Sequence, residues 1–235
     1  MASLGALIFD FDGTIADSER LHLAAFQETL SAELGVGLTA EEYAERYLAF
    51  DDRGLFEALL RDRGLKAAPA EFERLLAVKA ERYAALAENP VLLPGAAEMI
   101  RETARRWPLA IASGALEHEV RPVIERAGLS ECFVLIVTAE GVRRGKPDPE
   151  IFLAALSGVR RLREVDVAPA ECLVLEDSVA GVQAGLAAGM RVLAVTNSYP
   201  RARLQAADRV VDSLEEAADA DGLGDWFASL PEISS

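Results

Sequence analysis

The chain has 235 residues, 51% of them hydrophobic, a mean hydropathy of +0.15 and a formal net charge of −15. That is enough chain for one large domain or two smaller ones, and too apolar for a disordered polypeptide. The acidic balance argues against a nucleic-acid partner, whose phosphates require a basic face. It also means that a phosphorylated small molecule would need local positive charge from a metal, a lysine or an arginine.

No apolar run approaches the roughly 18–20 residues of a membrane span, and the N-terminus lacks the basic-then-apolar pattern of a signal peptide. A cytoplasmic protein without membrane contact is expected. The two cysteines, Cys132 and Cys172, lie in or beside apolar runs (ECFVLIV and ECLVLED) and read as buried thiols, not as a disulfide or a zinc site.

In chain order, the first strand-like run is ALIF (6–9). It is followed at once by LIFDFDGTIADSE, which crowds Asp10, Asp12, Asp17 and Glu19 together. From about 18 to 90 the pattern is helical. Leu23, Phe26, Leu30 and Leu34 share one face, ended by Gly35; Leu55, Phe56, Leu59 and Leu60 form a second, ended by Gly64; Phe72, Leu75, Leu76, Tyr83 and Leu86 form a third. Further strand-like runs follow at LAIA (109–112), FVLIV (133–137), CLVL (172–175) and RVLAV (191–195).

Unbroken apolar strands indicate a sheet buried on both faces, hence parallel. Helical patterns alternate with the later strands: Glu117 to Ala127 ends at Gly128, and Ser178 to Ala188 ends at Gly189. The fold class expected is α/β, a doubly wound Rossmann-like parallel sheet. Its core would be formed by 1–16 and 91–235, with an all-helical domain (17–90) inserted after the first strand and hinges near 16–20 and 88–92. The acidic stretch 218–235 is weakly patterned and is assigned no element.

In an open parallel sheet, ligands bind at the carboxyl ends of the strands. There the sequence places Asp10, Asp12, Gly13 and Thr14 after the first strand, and Ser113 and Gly114 after the second. Lys146 in GKPDP comes after the third, and Glu176, Asp177 and Ser178 after the fourth. Carboxylates this close repel one another and are costly to desolvate, unless a hard cation such as Mg²⁺, which prefers oxygen ligands, offsets them. The lysine and the Ser113 hydroxyl suit a phosphate.

DFDGT at 10–14, ASG at 112–114, GKPDP at 145–149 and LEDS at 175–178 resemble, in order and strand-end placement, the four motifs of the haloacid dehalogenase superfamily. The resemblance covers nearly the whole chain. The helical insert resembles the cap of the subgroup that includes β-phosphoglucomutase, phosphoglycolate phosphatase and sugar-phosphate phosphatases. DSERLH (17–22) looks like the hinge-and-cap signature of the sugar-phosphate branch.

The resemblance implies that Asp10 is a nucleophile forming an aspartyl-phosphate, and that Asp12 is the general acid and then base. It implies Mg²⁺ held by Asp10, the Asp12 carbonyl and Asp177, with Glu176 tuning the metal from further out. Ser113, the Gly114 N–H and Lys146 would hold the phosphoryl oxygens. His22 and Arg53, the latter on an expected cap loop, are possible substrate contacts, with solvated or packing roles as the alternative. The cap would move on its hinges to admit substrate.

Asp12 favours phosphoryl transfer over dehalogenation, because a halide leaves without protonation. A phosphonatase would carry a Schiff-base lysine in the cap, and spacing identifies none. A β-phosphoglucomutase must bind a second phosphate, and the residues at the corresponding places here, Ala49, Asp51, Asp52, Leu116 and Glu117, offer it no cation. The expectation is therefore a monomeric, Mg²⁺-dependent phosphatase acting on a small-molecule phosphate ester. A mutase and a non-catalytic phosphate-binding regulator are the alternatives.

Overall fold

A computed structural model describes residues 3–47, 50, 52–87 and 91–232. It divides into two compact units: one formed by Met1–Asp17 with Pro90–Ser235, the other by Ser18–Asn89. Ala49, Asp51 and residues 88–90 of the second hinge (88–92) lie outside the described residues.

The first unit is a doubly wound α/β sheet. Its strands are β1 (Ala6–Phe9), β2 (Leu109–Ala112), β3 (Phe133–Val137), β4 (Cys172–Glu176), β5 (Arg191–Val195) and β6 (Arg209–Val211). All pair in parallel, in the order β3-β2-β1-β4-β5-β6. The apolar runs form strands because both faces are covered.

Alternate side chains sort to two cores. Leu7 and Phe9 of β1, with Leu109, Ile111, Leu173, Leu175, Leu193 and Val195, pack on one face. That face is covered by Met99 and Ile100 of α5 (Ala96–Ala104), Val120 and Ile124 of α6 (Glu117–Arg126), and Leu223 and Phe227 of α9 (Ala220–Ser229). Ala6, Ile8, Ala110, Ala112, Val174 and Val192 face the other way. There they meet Phe152, Ala155 and Val159 of α7 (Glu150–Arg163) and Val182 of α8 (Val179–Ala187). Small residues on this face let α7 lie close.

Two elements depart from the sequence reading. The stretch from 218 on is not featureless, since α9 starts at an Asp219 cap that accepts from the Asp221 and Gly222 N–H groups, and it buries Leu223 and Phe227 in the core. Two glycines in ADGLGDWF dilute a pattern whose apolar pair at i and i+4 is real. The short strand β6 (RVV) pairs with β5 although it follows a polar turn and carries one arginine.

The second unit is all helical: α1 (Ser18–Leu34), α2 (Ala40–Arg46), α3 (Asp52–Asp62) and α4 (Pro69–Leu86). Thr39 caps α2 by accepting from the Glu42 N–H at 3.1 Å. Phe26, Leu30, Tyr43, Tyr47, Leu55, Phe56, Leu59 and Leu75 make its separate core. Among the described residues this core has no member from the sheet, in keeping with a separate compact unit.

Candidate active site

The topology reverses direction around β1, whose neighbours are β2 and β4, and a crevice at such a switch point is where a doubly wound sheet binds ligands. Asp10 continues the ladder for one residue, its N–H donating to the Leu175 carbonyl at 2.9 Å. The chain then turns sharply, and the Phe11 carbonyl accepts from the N–H groups of Thr14, Ile15 and Ala16. The Phe11 side chain is buried in the core and anchors the turn.

Gly13 sits at φ +73°, and a Cβ there would lie 2.0 Å from Asp177 Oδ2. Glycine is needed for both reasons, the left-handed backbone and the close approach.

The structure brings Asp10, Glu176, Asp177 and Lys146 together. Lys146 Nζ donates to Asp10 Oδ1, and to Glu176 Oε1 at 2.6 Å. The second oxygen of Glu176, Oε2, accepts from the Asp177 N–H (2.9 Å), the Ser178 N–H (2.7 Å) and the Ser178 hydroxyl (2.9 Å). Ser178 in turn caps α8, accepting from the Gly181 N–H at 3.0 Å. A Cβ on Gly181 would fall 1.7 Å from Glu176 Oε1, so that glycine makes room for the carboxylate on the helix terminus.

Glu176 is therefore saturated by the protein. It orients Lys146 and the Asp177 loop, a role its place in LEDS does not reveal. Ser113 is fully buried; its Oγ accepts from the Ala115 N–H at 3.0 Å and donates weakly to Asp12 Oδ2 at 3.4 Å. Next to it, Gly114 is exposed and has nothing within 4 Å of where a Cβ would stand.

Electrostatics give this cluster its meaning. Asp10, Glu176 and Asp177 are 6%, 1% and 3% exposed, and one oxygen from each lies within 4.8 Å of the others. Three carboxylates face one ammonium, which leaves two negative charges uncompensated in a buried space. Burial first, and then the charge of Glu176, pushes Asp177 up to about 7, against a hydrogen bond from Ser198 and the pull of Lys146. Burial also raises Asp10, opposed by Lys146 and reinforced by Glu176, Asp177 and Asp12. For Lys146, burial acts to lower the pKa, but the charges and hydrogen bonds of Asp10 and Glu176 outweigh it and hold the ammonium form firmly.

Acids strained in this way, an all-oxygen donor set and a deficit of two positive charges fit a hard divalent cation. Asp12 is half-buried and is not in that side-chain cluster.

Two residues that the sequence reading passed over belong here. Asn197 Nδ2 donates to the Gly13 carbonyl at 2.8 Å, and Ser198 hydrogen-bonds Asp177. Both lie in the turn after β5, in TNSYP, which carries no signal beyond that of an ordinary polar turn.

In the helical unit, His22 lies on α1 and its ring stacks on Tyr83, centroids 4.2 Å apart. Its Nδ1 is 2.6 Å from the Nζ of Lys79. Lys79, 1% exposed, also donates to both oxygens of Asp52 at 2.7 Å and lies over the Phe26 and Tyr83 rings. Burial and then the Lys79 charge lower His22 to about 4, so it is neutral at pH 7. Lys79 is the buried lysine of this unit that spacing did not disclose. Its Nζ is engaged by both Asp52 oxygens and by the His22 ring nitrogen.

Arg53 is corrected in position: it lies in the first turn of helix α3, not in a loop. It pairs with Glu73 at 2.9 Å and lies over the Phe72 ring. A short polar run ahead of a helix hides the helix start.

Comparison with known proteins agrees with the motifs. The family model described as haloacid dehalogenase-like hydrolase matches residues 4–189. Protein CbbY of Cereibacter sphaeroides is 34% identical over 227 residues, covering 93% of this chain and 96% of its own. Hexitol phosphatase A of Escherichia coli is 33% identical over 212 residues, covering 89% and 91%. A crystal structure of a CbbY mutant from Rhodobacter sphaeroides in complex with xylulose-(1,5)-bisphosphate superimposes with a TM-score of 0.75 at 31% identity, covering 95% of this chain and 99% of that one. With the motifs, the fold and the buried carboxylates in place, the chain belongs to the haloacid dehalogenase-like hydrolases and is an enzyme of that family.

Proposed function

We propose that the enzyme hydrolyses monoesters of phosphorylated sugars or sugar-like polyols through an aspartyl-phosphate on Asp10. The observation that carries this reading is the buried cluster of Asp10, Glu176 and Asp177 against the single ammonium of Lys146, at the carboxyl ends of β1 and β4. The names of the relatives, a hexitol phosphatase and a protein crystallised with a sugar bisphosphate, support the substrate class.

In the first step an Asp10 oxygen attacks phosphorus and the P–O bond to the sugar breaks. The leaving alkoxide takes a proton from Asp12. In the second step water attacks the acyl phosphate, Asp12 takes back a proton, and the Asp10–phosphorus bond breaks to release phosphate. Lys146 and the backbone around Ser113 and Gly114 hold the phosphoryl oxygens, and Gly114 offers the open space for them.

Asp10, the Asp12 carbonyl and Asp177 would hold Mg²⁺, which would supply charge neutralisation for the transferring phosphoryl group. Glu176 fixes Lys146 and the Asp177 loop. The helical unit is assigned the selection of the leaving group, because the chemistry-bearing residues lie in the sheet unit.

The test is phosphate release from a panel of hexose, pentose and hexitol phosphates, sugar bisphosphates, phosphoglycolate and an aryl phosphate, with and without Mg²⁺. Metal-dependent release is expected, falling at least about a thousandfold in Asp10→Asn. Release that persists in Asp10→Asn, or that ignores Mg²⁺, would refute the mechanism.

A further inference from the structure

The turn after β5 (Thr196–Tyr199) touches the site twice, through Ser198 on Asp177 and through Asn197 on Gly13, the latter 184 positions away in sequence. The Gly13 backbone lies wedged against two side chains: the place of a Cβ is 2.0 Å from Asp177 Oδ2 and 2.7 Å from Ser198 Oγ. The turn is itself braced. The Thr196 N–H donates to the Val211 carbonyl at 3.0 Å and its hydroxyl to Asp212 Oδ1 at 2.9 Å, while Arg201 holds the same Asp212 oxygen at 2.8 Å. β5 is in register beside β4, with Ala194 opposite Glu176, so the end of β5 must emerge next to the Asp177 loop.

We propose that Ser198 and Asn197 are positioning residues for the divalent cation. Ser198 fixes the rotamer of Asp177, and Asn197 pins the Gly13 carbonyl and with it the turn that carries Asp12. The proposal rests on the reading of Asp177 as a metal ligand.

A carboxylate beside Glu176 and facing Asp10 is driven away from them by like charge. A hydroxyl bonded to one oxygen holds the carboxylate in place and leaves the other oxygen for the cation. The Asp12 carbonyl adjoins Gly13. A peptide free to rotate would swing that carbonyl, whereas an amide donor on the next carbonyl along restrains it. Outer partners of this kind typically govern metal affinity by about 10–100-fold.

The experiment measures Mn²⁺ binding to the full chain by the loss of the free-ion electron paramagnetic resonance signal. Wild type, Ser198→Ala, Ser198→Thr and Asn197→Ala are compared, with the thermal midpoint of each recorded without metal. Ser198→Ala is expected to bind Mn²⁺ about tenfold more weakly or worse. Ser198→Thr, which keeps the hydroxyl, should recover most of the affinity, and the metal-free midpoints should stay close to wild type.

Phosphatase assays on the same proteins should show kcat at fixed low Mg²⁺ falling and returning at high Mg²⁺, with KM for the ester little moved. Asn197 is exposed, so its variant carries the test if Ser198→Ala folds poorly. Dissociation constants unchanged in both alanine variants would overturn the proposal. A wild-type protein that takes up no Mn²⁺ would instead overturn the metal reading, and this proposal with it.

Discussion

At Gly13 a single hydrogen in place of a methyl group decides whether the site can exist. An alanine there would have to hold a left-handed backbone and displace the Asp177 carboxylate. Gly13→Ala should lose about 1–3 kcal/mol of stability in urea unfolding and need markedly more Mg²⁺ for half-maximal activity. Wild-type values for both would show that the turn is not as tight as described.

Asp177 and His22 pull in opposite directions as pH changes. The folded-state pKa of Asp177 is raised, so the folded protein holds a proton there that the unfolded chain has lost, and stability falls as pH rises from about 4 to 7. His22 is lowered to about 4, so its contribution is present above its ordinary pKa and is lost as pH falls through about 6.5 towards 4. The total melting curve therefore mixes two slopes. The increment in Tm on adding Mg²⁺ isolates the acidic cluster from His22, because metal and proton would compete for Asp177 and Asp10. That increment should be larger above pH 7 than near pH 5, and a pH-independent increment would count against Asp177 as a ligand.

In Lys79→Met, Asp52 loses its ammonium and His22 loses the nearest charge opposing its protonation. Asp52 is partly exposed, so the cost should be about 1–3 kcal/mol, less than for a fully buried pair. The His22 titration, followed by NMR, should move up from about 4.

At the scale of elements, what was legible follows from how each one is stabilised. Runs such as ALIF and LAIA read as strands because every residue is apolar, which only a sheet covered on both faces requires, and their observed limits coincide with those runs. Helix α9 was not legible, because Gly222 and Gly224 interrupt it and its core contact rests on Leu223 and Phe227. Phe227→Ala should cost about 3–4 kcal/mol in chemical denaturation; a loss under about 1 kcal/mol would mean the helix adds little to the core.

The four strand-end motifs could be placed from sequence because all four occur in order, at the ends of successive apolar runs, although each alone would pass for an ordinary turn. Ser198 and Asn197 could not, because a polar turn is the ordinary way to leave a strand. What makes this one different is its contact with a loop at the other end of the chain. Lys79 was hidden for a similar reason: a lysine on a helix is ordinarily solvated, and only the packing of α1 and α4 together with Asp52 makes it a buried charge.

For the molecule as a whole, the segments that lead into and out of the insert pair with each other within the sheet unit. Ala16 and Leu92 form an antiparallel bridge; beside it Asp17 N–H donates to Val91 O, and Leu93 N–H to Ile15 O, both at 2.9 Å. The entering and leaving segments thus run side by side. Replacing Ser18–Asn89 with a short Gly/Ser linker should leave a sheet unit that melts cooperatively and still binds Mn²⁺, since Asp10, Asp177 and Ser198 are all within it. Selectivity among esters should be lost. A product that is molten or does not bind the ion would show that the insert is structurally required.

The central place of β1 also sets an order of events during synthesis. Its partners are β2, which begins at Leu109, and β4, which begins at Cys172. At about 5–20 residues per second, the first strand and Asp10 leave the ribosome some ten seconds to half a minute before β4 is available. Throughout that interval an apolar strand ending in two aspartates has no finished sheet to join. The helices that follow it in the chain already carry the makings of their own separate core. A nascent chain of this enzyme therefore presents a wholly apolar strand early and completes its sheet late, and that interval is when a chaperone would have the most to shield.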